Sequence, residues 1–172
     1  MDSNLSEFSN NSRLYIFTDG SVNNQSKLGC GAYLVLTDLT VSLDSLKDSV
    51  KLKRFEQTSS TRLELQTLLW LLGKILSLVD ENDIALTVFT DSQNIIGLPR
   101  RRERLEKSNY YSSKNKRLNN YELYREFYRI TDKLNIEFVK VSGHQAASKK
   151  DNIDILFSLV DKASRRELRK KE

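Results

Sequence analysis

The apolar run Tyr15-Ile16-Phe17, which leads to Asp19 and then to Gly20 and Ser21, constrains the fold more than any other stretch. Its aromatic and β-branched side chains predict a buried strand over residues 13–19, and the glycine and serine predict a turn after it. A carboxylate is therefore expected at the outgoing end of the strand. Other segments also bring an acid or a histidine to the end of a predicted element: residues 61–65, 88–92, 142–144 and 160–165.

The length and composition of the chain predict one globular domain. With 172 residues, 38% hydrophobic and 30% charged, the chain can bury a substantial core. We expect residues 13–170 to form the domain and the polar residues 1–12 to be disordered or frayed. The lone Cys30 excludes an internal disulfide and favours a reducing, cytoplasmic location. The longest apolar run, residues 68–72, is too short to span a membrane.

The order of predicted elements indicates an α/β fold. Residues 29–36 and 49–57 are predicted as a second strand and an edge strand, which gives a three-stranded antiparallel meander. A helix follows from the candidate caps Thr58-Ser59-Ser60-Thr61 to Val79, and residues 84–90 form another strand. Because a helix precedes it, this strand should pair in parallel with a meander strand. Beside the first strand, it would place Asp91 next to Asp19.

The second half of the chain is predicted to complete the sheet and its helical layers. We expect a helix over residues 93–98, a basic segment after Pro99 and a helix from Asn119 or Asn120 to Lys133. Residues 136–141 alternate as a strand, and residues 151–170 form a closing helix.

The net charge of +5 is concentrated in residues 98–118, which hold eight Lys or Arg and two Glu. The rest of the protein is therefore close to neutral. Together with Tyr110 and Tyr111, this segment has the electrostatic character of a polyanion-binding surface. A solvated charged helix is the alternative interpretation.

Each acid considered alone also has a structural interpretation. Thr61-x-x-Glu64 matches a capping box, and either Asp91 or Ser92 could cap the next helix. Taken together, two strand-end aspartates, a glutamate on the intervening helix and an aspartate on the last helix could converge at one sheet edge. Carboxylates so close repel unless cations neutralise them, and an all-oxygen cluster suits Mg²⁺ or Mn²⁺. Two such ions about 4 Å apart can cleave a phosphodiester.

Four motifs in order resemble those of ribonuclease H, type 1. They are Thr18-Asp19-Gly20-Ser21, Arg62-Leu63-Glu64-Leu65, Thr90-Asp91-Ser92-Gln93 and Val141-Ser142-Gly143-His144, and the resemblance covers residues 14–168. It implies an RNase H-like fold: a five-stranded mixed sheet, made of the meander plus two parallel strands, with helices on both faces. It also implies hydrolysis of the RNA strand of RNA/DNA hybrids by two Mg²⁺ ions, with Mn²⁺ as a possible substitute. The products would carry 5′-phosphates, and the protein would be a monomer that acts away from membranes.

The resemblance also implies roles for individual residues. Asp19, Glu64 and Asp91 would be metal ligands, and His144 would assist proton movement and product release from a mobile loop. The fourth carboxylate is either Asp154 or Asp161. We favour Asp161 because a small residue and an arginine follow it as in the family, although Phe157 replaces the family's asparagine four residues earlier.

Further likenesses concern contacts to the hybrid. Ser59, Ser60 and Thr61 stand where many relatives have paired asparagines, and could hold a DNA phosphate. Asn23 or Asn24, and Gln93, would touch the backbone and minor groove, and so read shape and 2′-hydroxyls. The basic segment, with Arg100, Arg101 and Arg102, resembles the family's basic protrusion.

Two other functions are compatible with these features. A nuclease of the same fold could act on structured DNA, although the Arg62-x-Glu64 motif and the Gly143-His144 loop favour hybrids. A binding module could have lost catalysis, but clustered acids would give it no advantage against a polyanion.

Overall fold

A computed structural model describes Leu5, Phe8 and residues 12–79, 84–142 and 151–170. The strands and helices of this part of the chain are, in order, β1 (Arg13–Asn23), β2 (Leu28–Leu36), α1 (Leu43–Leu46), β3 (Lys51–Phe55), α2 (Ser60–Leu78), β4 (Ala85–Thr90), α3 (Gln93–Lys107), α4 (Tyr121–Thr131), β5 (Asn135–Lys140) and α5 (Asn152–Arg169). A single 3₁₀ turn, Lys47–Ser49, connects α1 to β3.

The strands form one mixed sheet in the order β3-β2-β1-β4-β5. Strand β2 pairs antiparallel with both β1 and β3, whereas β4 pairs parallel with both β1 and β5. The predicted five-stranded arrangement of a meander and two parallel strands is confirmed.

Helices cover both faces of the sheet and enclose two apolar clusters. Helices α2, α3 and α4 bury Leu68, Ile95 and Phe127 against one face. Helix α5 buries Leu156 and Val160 against the other face. Leu5 is 8% exposed and belongs to the first cluster. Of the segment predicted to be frayed, residues 1–12, the structure describes only Leu5, Phe8 and Ser12. No helix in the described ranges has the length and apolar character needed to cross a membrane.

Strand β1 is longer than predicted. Its parallel pairing with β4 ends where Phe17 faces Phe89, but its antiparallel pairing with β2 continues to Asn23. The turn comes later because the Asn23 side-chain oxygen accepts hydrogen bonds from the N–H groups of Gln25 and Ser26. Asp19 therefore lies inside the strand, just beyond the parallel ladder, and our prediction that it ends the strand was wrong.

Helix α3 is also longer than predicted, because it continues through Pro99 to Lys107. Proline inside a helix removes one backbone hydrogen bond and costs about 3 kcal/mol. Leu98 and Leu105 lie seven residues apart on one helical face and are both buried, so packing on either side of Pro99 opposes that cost. Residues 98–107 of the basic segment consequently lie on α3, and residues 108–118 follow the helix. Helix α1 was not predicted.

Candidate active site

The register of the parallel strands places Asp19 and Asp91 side by side. Phe17 and Phe89 are paired, and their rings stack with centroids 4.8 Å apart. Asp19 lies two residues after Phe17 within β1 and so on the same face, and Asp91 is the first residue after β4, two residues beyond Phe89. The two carboxylates are therefore neighbours, and the charge of Asp91 contributes to the raised pKa of Asp19.

Glycines in the sheet allow α2 to bring Glu64 to the same place. A Cβ atom on Gly20 would lie 2.8 Å from Leu63 Cδ2, and one on Gly31 would lie 2.1 Å from Thr67 Oγ1. Neither separation is possible for real side chains, so only glycine permits this approach of helix to sheet. Because Leu63 packs directly on Gly20, the next residue, Glu64, lies beside Asp19.

Neither predicted capping role of the acids is present. Ser59 caps α2 by accepting a hydrogen bond from the Arg62 N–H at 3.4 Å, so the capping-box interpretation of Glu64 was wrong. The carboxylate of Glu64 instead accepts a 2.5 Å hydrogen bond from the Ser92 hydroxyl. Ser92, not Asp91, caps α3.

Helix α5 brings Asp161 to the cluster from the opposite face of the sheet. Its carboxyl shares a hydrogen bond with Asp19 and forms an ion pair with Arg165, at 2.8 Å from Arg165 Nε. The alternative residue, Asp154, forms a capping box with Asp151 at the start of α5. Both candidates for the fourth carboxylate line the cleft, and Asp161 is among the causes of the raised pKa of Asp19.

These side chains line one cleft of about 320 Å³. The residues around it are Asp19, Gly20, Ser21, Val22, Asn24, Ser60, Glu64, Asp91, Ser142, Asp154, Phe157, Ser158, Asp161 and Arg165. The serines at 21, 142 and 158 were not among the site residues predicted from the sequence. Ser158 could have been found, because it lies between Asp154 and Asp161 at helical spacing.

Burial is the main influence on the pKa values of Asp19 and Glu64, and the charges of neighbouring carboxylates add to it. Burial raises the pKa of Asp19 to about 8, and the neighbouring carboxylates of Asp91 and Asp161 add to the effect. Burial also raises the pKa of Glu64, while the hydrogen bond from Ser92 opposes this increase. Divalent cations would relieve the repulsion among these carboxylates, and the oxygen donors of the carboxylates fit Mg²⁺ or Mn²⁺.

The acids form an open cleft and not a closed metal cage. Within the described ranges, no three acidic, histidine or cysteine side chains are arranged as a preformed metal-binding group. A bound cation would therefore have to draw these side chains closer together. His144 lies outside the described residues.

The residues predicted to contact the hybrid are distributed around the cleft. Ser60 lines it, Ser59 is the N-cap of α2, and Thr61 is exposed on the same turn. Asn24 lines the cleft, whereas the side-chain oxygen of Asn23 accepts hydrogen bonds from the N–H groups of the turn that follows. Gln93 is exposed at the start of α3, and its side-chain oxygen accepts a 2.6 Å hydrogen bond from Lys140 Nζ.

The three predicted binding arginines differ in their surroundings. Arg102 is bound by Asp132 and Glu106 and lies over the Tyr128 ring. Arg101 donates to the backbone and side-chain oxygens of Asn94. Arg100 is exposed on the same helix, which makes it the most accessible of the three to a ligand.

A family model described as RNase H matches residues 11–164. No curated protein matches this sequence. The fold is similar to a solved structure of the foamy viral protease-reverse transcriptase in complex with dsDNA, with a TM-score of 0.60 and 9% sequence identity over 91% of this chain and 96% of that chain. That identity shows likeness of fold alone, but the family match covers most of the sequence. This chain belongs to the RNase H family.

Proposed function

We propose that the protein is an endoribonuclease that hydrolyses the RNA strand of RNA/DNA hybrids with two Mg²⁺ ions. The observation that supports this most strongly is the meeting of Asp19, Glu64, Asp91 and Asp161 around one cleft. Asp19 lies within β1, Asp91 directly follows β4, and Glu64 and Asp161 lie on α2 and α5, which cover opposite faces of the sheet. A structural role for any one of them would not require the other three.

Asp19, Glu64, Asp91 and Asp161 would hold the ions. When bound, two Mg²⁺ ions would activate the attacking water and stabilise the leaving oxygen, which gives 5′-phosphate ends. Asp19 is central to this set because it interacts with both Asp91 and Asp161. Its raised pKa of about 8 means that cation binding releases a proton from the cleft near neutral pH.

The surroundings of the cleft suit a double-stranded, partly ribose-containing ligand. Ser60 and Asn24 line the cleft, and Gln93 is exposed two residues after Asp91, so they can contact phosphates and sugar hydroxyls without reading sequence. Residues 98–118 supply the positive charge that attracts a polyanion.

One set of substrates tests this proposal against its alternatives. The protein is incubated with Mg²⁺ and matched RNA/DNA, RNA/RNA, DNA/DNA and single-stranded RNA. We expect cleavage of only the RNA strand of the hybrid, 5′-phosphate products, and loss of cleavage in Asp19→Asn. Cleavage of DNA would favour a structure-specific DNA nuclease. Tight binding without cleavage would indicate a silent binding module.

We also infer that the protein acts as a monomer in the reducing cytoplasm. Cys30 is 0% exposed, and burial raises the pKa of its thiol to about 11, which disfavours the reactive thiolate. Light scattering should give a mass of 19.9 kDa with and without reductant. A dimer that reductant dissociates would contradict this inference.

A further inference from the structure

The hydroxyl and the N–H of Ser92, which is 3% exposed, take part in three hydrogen bonds. Its hydroxyl donates to Glu64 Oε2 at 2.5 Å and accepts from the Ile95 N–H at 3.2 Å. Its own N–H donates to Thr90 Oγ1 at 3.1 Å. The side chain and backbone of Ser92 are thus fixed from three directions.

This geometry determines the direction of the serine hydroxyl. A hydroxyl has one hydrogen and two acceptor lone pairs. Because the Ile95 N–H can only donate, the hydroxyl hydrogen is left for Glu64. The start of α3 therefore fixes a donor that points at one oxygen of a carboxylate on α2.

The consequence for Glu64 is a restriction of its side chain. Glutamate has three rotatable bonds, and holding it in one geometry costs conformational entropy. Hydrogen bonding of Oε2 fixes the orientation of the carboxylate, so that Oε1 remains to face a cation in the cleft. A ligand oriented in advance binds metal more tightly than one that must be ordered on binding.

We propose that Ser92 is a positioning residue that orients the Glu64 carboxylate for divalent-metal binding. This inference rests on the proposed function, because it assumes that Glu64 is a metal ligand. It goes further because it gives the hydrogen bond from Ser92, at the start of α3, to Glu64 on α2 a role in metal affinity.

The main alternative is that Ser92 serves only as the N-cap of α3. Two substitutions separate these roles. Glycine is nearly as good an N-cap as serine but has no hydroxyl to donate, so Ser92→Gly keeps most of the cap and loses the link to Glu64. Ser92→Thr keeps the hydroxyl and serves as the matched control.

The primary measurement is Mn²⁺ binding by calorimetry in the absence of nucleic acid. We expect Ser92→Gly to weaken Mn²⁺ binding about 10- to 100-fold, as is typical when a group that orients a metal ligand is lost, and Ser92→Thr to remain close to wild type. Hybrid affinity measured in EDTA should be the same in all three proteins. In Mg²⁺, Ser92→Gly should need more metal for half-maximal cleavage without a change in KM for the hybrid.

Two outcomes would overturn the positioning role. One is wild-type Mn²⁺ affinity in Ser92→Gly, and the other is an equal loss in Ser92→Thr and Ser92→Gly. Circular dichroism tests whether each variant is folded. If Ser92→Gly is unfolded, the Mn²⁺ affinity of Ser92→Ala is compared with those of wild type and Ser92→Thr instead. If the wild-type protein binds Mn²⁺ but leaves hybrids intact, the proposed function fails, while the calorimetric comparison still decides the role of Ser92.

Discussion

The position of Asp19 in the cleft favours the neutral form of its carboxyl. Burial is the main reason that its pKa is raised to about 8, and the carboxylate of Asp91 is the next largest cause. A protonated Asp19 can also donate the hydrogen bond that it shares with Asp161. Without cations, repulsion among the carboxylates of the cleft therefore destabilises the folded state increasingly as the pH rises.

The first prediction follows from the sign of this shift. Between the ordinary pKa of 3.8 and the folded value of about 8, the folded state binds more protons than the unfolded state, so stability falls as pH rises. Asp19→Asn cannot ionise. We expect it to be more stable than wild type by about 1–3 kcal/mol at pH 8 in EDTA, and equally stable near pH 4.

Urea denaturation in EDTA at pH 4, 6 and 8 measures this difference. Asp44→Asn on α1 is the control, because the side chain of Asp44 is 96% exposed and its replacement should not produce this pH dependence. A constant difference between Asp19→Asn and wild type across the three pH values would contradict the assignment.

At the scale of elements, the site depends on how closely α2 packs on the sheet. Gly31 in β2 lies directly beneath Thr67, which is 1% exposed and whose hydroxyl donates to the Leu63 carbonyl at 2.7 Å. Thr67 is one turn after Leu63, and Glu64 lies between them. Any displacement of this part of α2 from the sheet therefore also displaces Glu64.

The second prediction concerns this contact. Gly31→Ala would place a Cβ 2.1 Å from Thr67 Oγ1 and 3.0 Å from Thr67 Cβ, so the helix must move. We expect a loss of about 2–3 kcal/mol in the free energy of unfolding, and weaker cleavage. Adding Thr67→Ala removes the hydroxyl and the methyl group and should recover part of this loss.

Gly73→Ala is the matched control for Gly31→Ala. Gly73 lies in α2, the helix that carries Thr67, and a Cβ there would meet nothing within 4 Å. Because alanine is the better helix former, this substitution should stabilise the protein by about 0.5–1 kcal/mol. Equal effects of the two substitutions in chemical denaturation would show that the contact with Thr67 is unimportant.

The sequence predicted elements better than it predicted their ends. Hydrophobic periodicity identified all five strands, because buried faces repeat along the chain. The ends of β1 and α3 were missed because they depend on tertiary pairing: β2 prolongs β1 beyond Asp19, and buried Leu105 favours continuation past Pro99. The capping pattern at Glu64 was misleading for the same reason, since Ser92 is 28 residues away.

For the whole molecule, the segregation of charge is the dominant feature. Acids gather in the cleft, and the basic segment, residues 98–118, carries more than the net charge of +5. One cation of this segment packs against two tyrosine rings: the Arg117 guanidinium lies 5.2 Å from the centroid of the Tyr111 ring and 4.4 Å from that of the Tyr121 ring. The composition indicated this surface, but it could not show which cations are already engaged within the protein.

The third prediction uses this difference between the arginines. Each protein cation that neutralises a phosphate contributes about 0.7–0.9 to the slope of log affinity against log salt concentration. Arg100 is exposed, whereas Arg102 is already bound by Asp132 and Glu106. Arg100→Gln should therefore lower the magnitude of the slope for an RNA/DNA hybrid by about 0.7–0.9, the contribution of one phosphate contact, and Arg102→Gln should lower it less.

Fluorescence anisotropy in EDTA across a range of salt concentrations measures these slopes, and Lys47→Gln on α1, outside the basic segment, is the control. Single-turnover cleavage at saturating enzyme should be nearly unchanged in Arg100→Gln, because Arg100 is not among the residues that line the cleft. An equal loss in the chemical step would instead make Arg100 part of the reaction centre. An unchanged slope would mean that the hybrid does not lie along this face of α3.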